Sequence, residues 1–367
     1  EYGWGVRVGL VCPYSLTVPG GVQGQVLALA RALRELGHEA RVLAPCDGPP
    51  PEGFVTPLGN SIPFASNGSV APLALDVPCA LRTIRALRDE EFDVVHLHEP
   101  LCPGPTLTAL LTAEHPIIGT FHRAGASRGY RRFRPIAQRV AARLDVSCAV
   151  SEDARRTASD ANPVDYELVF NAIEVDRFTK ADPTPTDGPT IFFLGRHEPR
   201  KGLDVLVAAM DDLPDDVHLW VAGDGPQTAE LKERTKDDPR IEWLGRIGDG
   251  EVASRLRGAD VFCAPSLHGE SFGVVLLEAM AAGTAIVAGD LPGYRNVARP
   301  DEHAVLVPPG DPMALAAGIR RVLSDGSLVA RLVAAGEQRA AEFSMDSLAQ
   351  RYVDLYDSVV SASSTRR

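Results

Sequence analysis

Two carboxylates eight residues apart, Glu270 and Glu278, stand in the run Gly269-Glu270-Ser271-Phe272-Gly273-Val274-Val275-Leu276-Leu277-Glu278. The first lies in a glycine-rich loop and the second two helical turns inside an apolar segment. The run reads as a strand end, a loop and a helix whose free backbone N–H groups face an anionic or polyhydroxyl ligand. A helix-capping surface acid followed by an acid on a solvated face would give the same letters. Gly195-Arg196-His197-Glu198-Pro199-Arg200-Lys201-Gly202 supplies cations. If Arg196 and Lys201 both point into a cleft, they hold a diphosphate leaving group, and losing one such preorganised donor typically costs ~3 kcal/mol. A solvated basic loop is the alternative. Pro19-Gly20-Gly21-Val22-Gln23 opens a helical pattern after an apolar run, and glycines there let backbone approach a phosphate at a helix N-terminus. The spacing is not that of a dinucleotide fingerprint, and a tight turn would also need these glycines. His122 ends an apolar run, either as a structural residue or facing a ligand. His96 and His98 alternate onto one face, opposite Leu97, where a metal site is conceivable but has no further ligand cluster.

These residues need elements to position them. Short apolar runs at 6–12, 40–44, 93–97, 117–121 and 146–150 predict strands in the first half, with helices such as 23–36 between them. The second half repeats the scheme at 190–194, 218–222, 241–244, 261–264, 285–288 and 304–307. Continuous apolar strands joined by helix-length connections indicate two parallel sheets covered on both faces, hence two Rossmann-like α/β domains with ligands beyond the carboxyl ends of the strands. The polar, breaker-rich stretch 171–188 reads as a linker, with the boundary near 173, giving domains 1–172 and 173–346. Residues 344–360 carry an amphipathic pattern at Leu348, Tyr352, Leu355, Tyr356 and Val359. Periodicity does not show where that helix packs; we expect the segment 347–367 to join the first domain.

A chain of 367 residues with 45% hydrophobic content suits two cores, and a net charge of -12 argues against a nucleic-acid partner. The six scattered cysteines lack metal-type pairing and suit a reducing cytoplasm. No apolar run is long enough to span a bilayer. Basic clusters remain: Arg82, Arg85 and Arg88 recur on one helical stretch, and Arg123, Arg128, Arg131, Arg132 and Arg134 crowd the segment after His122. They are either solvated faces or contacts to anionic lipid headgroups.

Taken together these residues resemble the GT-B glycosyltransferases of family 4, over nearly the whole chain. The most specific element is E-x7-E at Glu270 and Glu278. The Gly20-Gly21 loop, Gly195-Arg196 with Lys201-Gly202, and Glu278-Ala279-Met280-Ala281-Ala282-Gly283 follow in the family's order. Within the family the likeness is to the actinobacterial phosphatidylinositol α-mannosyltransferases, carried by Val11-Cys12-Pro13-Tyr14-Ser15, Val18 through Gln23, Asn67-Gly68-Ser69-Val70-Ala71, His98-Glu99-Pro100, Thr120-Phe121-His122 and His268 through Gly273. The resemblance implies a GT-B fold, two domains facing across a deep cleft, with the nucleotide sugar bound by the second domain and the acceptor by the first.

By resemblance, Gly21 offers its N–H to the donor phosphate and Arg196 and Lys201 bind the diphosphate. Glu270 and the backbone of Ser271, Phe272 and Gly273 hold the sugar hydroxyls, Glu278 the ribose, and Ile247 and Asp249 meet the base. His122 sits against the transferred sugar, while Tyr14, Gln23, Asn67 and Ser69 border the acceptor. The implied reaction is retaining transfer of mannose from GDP-mannose to an inositol phospholipid. It needs no metal or other cofactor, and takes place at an anionic membrane surface, on the cytoplasmic face. The chain departs from the family's wording at Ser66, Pro72 and Arg123, where a Tyr, an Arg and a small hydroxyl residue are expected, and at Phe170-Asn171-Ala172-Ile173. Arg123 either restores a phosphate contact that Pro72 removes or marks another acceptor. A UDP-sugar donor with a soluble acceptor such as inositol phosphate, a sugar-nucleotide epimerase and a noncatalytic sensor are the competing readings.

Overall fold

A computed structural model describes residues 5–66, 69–123, 134–160, 162–270 and 272–366. It divides into two compact units, Glu1–Ala172 with Met345–Arg367, and Ile173–Ser344.

The first unit is built on β1 (Arg7–Val11), α1 (Gly21–Glu35), β2 (Glu39–Ala44), β3 (Val55–Pro57), β4 (Ile62–Ser66), β5 (Ser69–Leu73), α2 (Val77–Asp89), β6 (Val94–His98), α3 (Pro105–Thr112), β7 (Ile117–Phe121), α4 (Arg134–Ala141), β8 (Val146–Ala149), α5 (Glu152–Ser159) and β9 (Glu167–Leu168). Seven strands pair in parallel in the order β3-β2-β1-β6-β7-β8-β9. All five residues of β6 and of β7 are buried, so neither strand shows the apolar–polar alternation of a half-exposed sheet, and β6 buries His96 and His98 among its apolar side chains. The C-terminal helix Met345–Arg366 completes this unit: Met345, Ala349, Tyr352, Val353, Tyr356 and Val359 share one core with Val26, Leu29, Ala30 and Leu33 of α1.

The second unit follows with α6 (Val175–Thr179), β10 (Thr190–Leu194), α7 (Leu203–Ala209), β11 (His218–Ala222), α8 (Thr228–Arg234), β12 (Ile241–Gly245), α9 (Asp249–Gly258), β13 (Val261–Ala264), α10 (Val274–Ala281), β14 (Ala285–Gly289), α11 (Pro292–Arg295), β15 (Val305–Val307), α12 (Pro312–Ser324) and α13 (Gly326–Glu342). Its six strands run parallel in the order β12-β11-β10-β13-β14-β15. Strand order reverses between β10 and β13 here and between β1 and β6 in the first sheet, and in open α/β sheets such switch points open the crevice that receives a ligand.

The alternation of apolar runs and helical patterns thus gives the fold class, two parallel sheets in two α/β units. Three details differ from the sequence expectation. The stretch 171–188 is not all linker, because Phe178 is buried in the second core and winds α6 around itself, in a helix too short for periodicity to reveal. Helix α1 starts at Gly21, two residues earlier than its pattern suggests, with extended Gly20 as the N-cap. The antiparallel hairpin β4–β5 and the short β3 and β9 have too few apolar positions to be read as strands. The hairpin's sequence signal is the Asn67-Gly68 dipeptide, itself outside the described residues.

Candidate functional site

In the second unit, the loops after β10 and β13 meet at the switch point. Glycine makes the approach possible: at Gly202, φ is 67° and an added Cβ would lie 2.1 Å from the Pro265 carbonyl oxygen. The loops are also joined by Leu267 N–H donating to Arg200 O at 2.8 Å.

Five charged side chains converge across them. Lys201 Nζ lies 2.6 Å from Glu270 Oε1, and Arg200 Nη1 approaches the same oxygen at 3.4 Å. Ser266 donates to it at 2.9 Å, and Tyr294 donates to Ser266 at 3.0 Å. Glu198, buried, receives Arg200 Nε and Arg196 Nη2 at 3.0 Å each. Burial pushes the Glu270 carboxyl upward, but the Lys201 and Arg200 charges and the Ser266 hydroxyl outweigh it and hold the group below the usual carboxylate range. Three cations against two acids leave one net positive charge. Beside it, α10 begins at Val274 with no side-chain cap and no acid in its first turn, so its leading N–H donors add to an anion-attracting surface.

Of the residues read from sequence, Arg196, Lys201 and Glu270 therefore come together. Gly273 is the left-handed N-cap of α10 with φ 96°. Phe272 is a core side chain, edge-on to Phe343 at 5.6 Å, so only its backbone is available to a ligand. Ser271 lies outside the described residues. Glu198, Arg200, Ser266 and Tyr294 went unremarked in sequence. An acid inside a basic loop looks solvated, and Ser266 and Tyr294 reach the site only through tertiary packing.

Glu278 is half-buried on the second turn of α10. Burial drives its pKa up to about 7, with Arg177 pulling it down and Asp249 pushing it up. Arg177 on α6 reaches the Asp249 carbonyl at 3.2 Å and Oδ1 at 3.4 Å. Asp249 is the exposed first residue of α9, and half-buried Ile247 packs on the same core. The structure thus groups Asp249 and Glu278 and adds Arg177 to them, with Ile247 two residues before Asp249.

In the first unit, α1 begins at Gly21 with an uncapped, acid-free first turn. Buried Gln23 donates to Val18 O at 3.1 Å and Ser15 O at 3.4 Å, so its amide braces the loop before α1. Tyr14 forms a β-bridge with Leu73, and Ser15 N–H donates to Pro72 O at 3.0 Å, tying hairpin β4–β5 to that loop. Pro72 suits the position because only its carbonyl is used. Ser69 opens β5 opposite Ser66, and Asn67 lies outside the described residues.

His122 follows β7 directly. Its N–H and that of Arg123 donate to Glu99 Oε1 at 2.6 and 2.7 Å, and Glu99 itself is left-handed with φ 56°. Such a conformation costs about 1–3 kcal/mol in a non-glycine residue and persists where surrounding contacts over-determine it. His122 Nε2 lies 2.9 Å from His98 Nδ1. His96 spends Nδ1 on Tyr356 Oη and Nε2 on Thr120 Oγ1, both at 2.8 Å, and Thr120 meets Tyr352 Oη at 2.9 Å. The His96 and His98 rings do share a face, with centroids 4.3 Å apart, but their bonds run to neighbours instead of converging on an ion. Burial pushes His96 down to about 3 and His122 to about 4, so both rings are neutral near pH 7.

Residues 174–339 match the family described as glycosyl transferases group 1, and residues 19–177 match glycosyltransferase family 4. The chain is 40% identical over 373 residues to the phosphatidyl-myo-inositol mannosyltransferase of Mycobacterium leprae, with 98% of each chain covered. It is 30% identical to the D-inositol 3-phosphate glycosyltransferase of Xylanimonas cellulosilytica, over 92% of this chain and 91% of that protein. Among solved structures, Anabaena HepE in complex with UDP and glucose superposes with a TM-score of 0.76 at 18% identity, covering 96% of this chain and all of that one.

Proposed function

The chain belongs to the GT-B glycosyltransferases of family 4, and from that membership we propose that it transfers mannose from GDP-mannose, with retention, to an inositol phospholipid at the cytoplasmic face of a membrane. The observation that carries the donor half is the Arg196–Glu198–Arg200–Glu270–Lys201 cluster beside the uncapped start of α10. One net positive charge and the N–H donors at a helix start without a side-chain cap favour a nucleoside diphosphate, while Glu270 offers a carboxylate to sugar hydroxyls. The family resemblance assigns the uncapped start of α1, at Gly21, a backbone donor to phosphate. Ile247 and Asp249 meet the base, and Glu278 the ribose.

In the reaction, the bond from the anomeric carbon to the phosphate oxygen breaks as the acceptor hydroxyl attacks the same face. The acceptor's proton passes to the departing phosphate oxygen, and the new glycosidic bond forms. The cations carry the charge that develops on the leaving group, so no metal ion is required. His122, neutral and fixed by Glu99 through its backbone, lies against the sugar.

Support for the acceptor half comes from the Mycobacterium leprae relative and from the surface of the first unit. Ile62, Phe64, Leu75, Val77 and Leu81 are exposed, with Val77 at 71%, and Arg85 and Arg88 are exposed on the same α2. Apolar side chains flanked by cations suit the interface of an anionic bilayer. No helix among the described residues is long and apolar enough to cross a membrane. The second reading, a soluble inositol phosphate acceptor, draws on the Xylanimonas relative.

The deciding experiment follows nucleoside diphosphate release from GDP-mannose and UDP-sugars in EDTA, with phosphatidylinositol vesicles, inositol phosphate or no acceptor. Release from GDP-mannose that depends on the vesicles is expected. Release only with inositol phosphate moves the assignment to the second reading, and metal-dependent turnover overturns the cation-only mechanism.

A pH dependence follows from Glu278. Its carboxyl keeps a proton up to about 7 in the free protein, whereas ribose hydroxyls donate best to the ionised form. Donor affinity should therefore strengthen roughly tenfold between about pH 6 and 8, and calorimetry on Glu278→Gln should show no such step. Matching profiles in the two proteins would remove Glu278 from the donor site.

A further inference from the structure

We propose that His98 is the positioning residue for His122, fixing its ring through the bond between His98 Nδ1 and His122 Nε2, and that the C-terminal helix braces this pair from behind. The inference rests on the reading of His122 as a residue that lies against the transferred sugar.

The backbone and the ring of His122 are held separately. Glu99 takes the N–H groups of His122 and Arg123, which sets the chain, while His98 meets the imidazole at 2.9 Å with the rings stacked 27° apart. The Asn171 side chain makes the second bond to that imidazole. The proton assignment that leaves no N–H of His98 buried without an acceptor has His122 donating to the Asn171 amide oxygen and accepting from His98 Nδ1–H. His98 Nε2 is then a bare lone pair, and it is the atom that is buried without a partner. His98 in turn leans on His96, whose two nitrogens are spent on Tyr356 and Thr120, with Tyr352 on Thr120. Tyr352 and Leu348 also line, with His98, His122 and Asn171, a small cavity behind the pair. Every member is neutral near pH 7 by virtue of its burial, so the relay sets orientation and tautomer and carries no charge.

The geometry makes an unusual demand on substitutions. The Nδ2 of an asparagine overlies the Nδ1 of a histidine, whereas a glutamine places its amide where Nε2 was. His98→Asn should therefore keep the donor to His122 despite its smaller volume, while His98→Gln and His98→Leu fill the space and lose it. Expected is a fall in kcat of roughly 10- to 100-fold in the Gln and Leu variants with donor KM little changed, and near wild-type kcat in Asn. A residue that merely fills the core would give the opposite order. Nitrogen NMR of the imidazoles should show one neutral His122 tautomer in the wild type and in Asn, and a mixture in Leu and Gln. Thermal melting identifies any variant that fails to fold, and the NMR comparison then rests on the folded ones. Wild-type kcat in the Leu or Gln variant, or an Asn variant no better than Leu, overturns the role of His98. Wild-type kcat in His122→Ala overturns the premise about His122 instead, and the two failures are told apart by that arm.

Discussion

Lys201→Ala should lose roughly 100- to 1000-fold in turnover, the effect of removing one preorganised donor from a developing anion, about 3–4 kcal/mol. Lys201 Nζ stands 2.6 Å from Glu270 Oε1, so the substitution removes a cation from the proposed diphosphate site and also releases the carboxylate proposed to face the sugar. Glu270 keeps Arg200 at 3.4 Å and Ser266 at 2.9 Å, which limits the structural damage. Glu270→Ala should fall as far by the opposite route, leaving Lys201 in place with nothing to orient the sugar. The control is Lys236→Ala, whose partner Glu233 and itself are largely exposed; such a pair contributes about 0.2–1 kcal/mol to stability and nothing to the site. Release of nucleoside diphosphate, with circular dichroism to establish folding, measures all three. Wild-type rates in folded Lys201→Ala and Glu270→Ala would remove the loop pair from the reaction.

Gly293→Ala should disable the same site without touching a charged group. A Cβ at Gly293 would lie 1.9 Å from the Glu270 carbonyl oxygen and 2.5 Å from its carbonyl carbon. Backbone cannot yield as a flexible side chain can, so the loop bearing Glu270 has to move, and overpacking of this kind costs about 1–3 kcal/mol of stability. Displacement of a catalytic group by an ångström costs roughly 100-fold in rate. Gly24→Ala is the informative partner: it lies on α1 with nothing within 4 Å of the added methyl, and should gain about 0.5–1 kcal/mol. Thermal melting and turnover of the pair test the claim, and an active Gly293→Ala protein would show that the Glu270 loop tolerates a shift.

The two sheets were legible because buried parallel strands leave unbroken apolar runs, as in Ile117–Phe121, and because helix-length connections separate them. The acids and cations of the second unit were legible because glycines fix the loops that carry them, and glycine is visible as a letter. Other parts of the site depend on distance in space. Glu198 reads as one more solvated acid in a basic loop, yet it is buried and clamps both Arg196 and Arg200. Arg177 belongs to what reads as linker, because one buried Phe178 and a five-residue helix leave no period to detect. His98 beside His96 left a metal site conceivable, since alternation gives the face but not the neighbours; Tyr356, Thr120 and His122 arrive from other elements. The hairpin that carries Pro72 escaped notice because Pro63 and Pro72 interrupt its strands, although they face each other in register and spend no N–H.

The first unit also has a history in time. Residues Glu1–Ala172 are made before Ile173–Ser344, but their core is closed by Met345, Ala349, Tyr352, Tyr356 and Val359, which are made after it. Ile173–Ser344 is a continuous stretch that can finish folding as it leaves the ribosome, with Ile173 N–H already donating to Phe343 O at 2.9 Å to bring its two ends together. Until the helix Met345–Arg366 arrives, the core it shares with α1 stays open, and His96 lacks the hydroxyl of Tyr356. The order of synthesis thus runs opposite to the order of completion, and the histidine relay is assembled only after the second unit has been made.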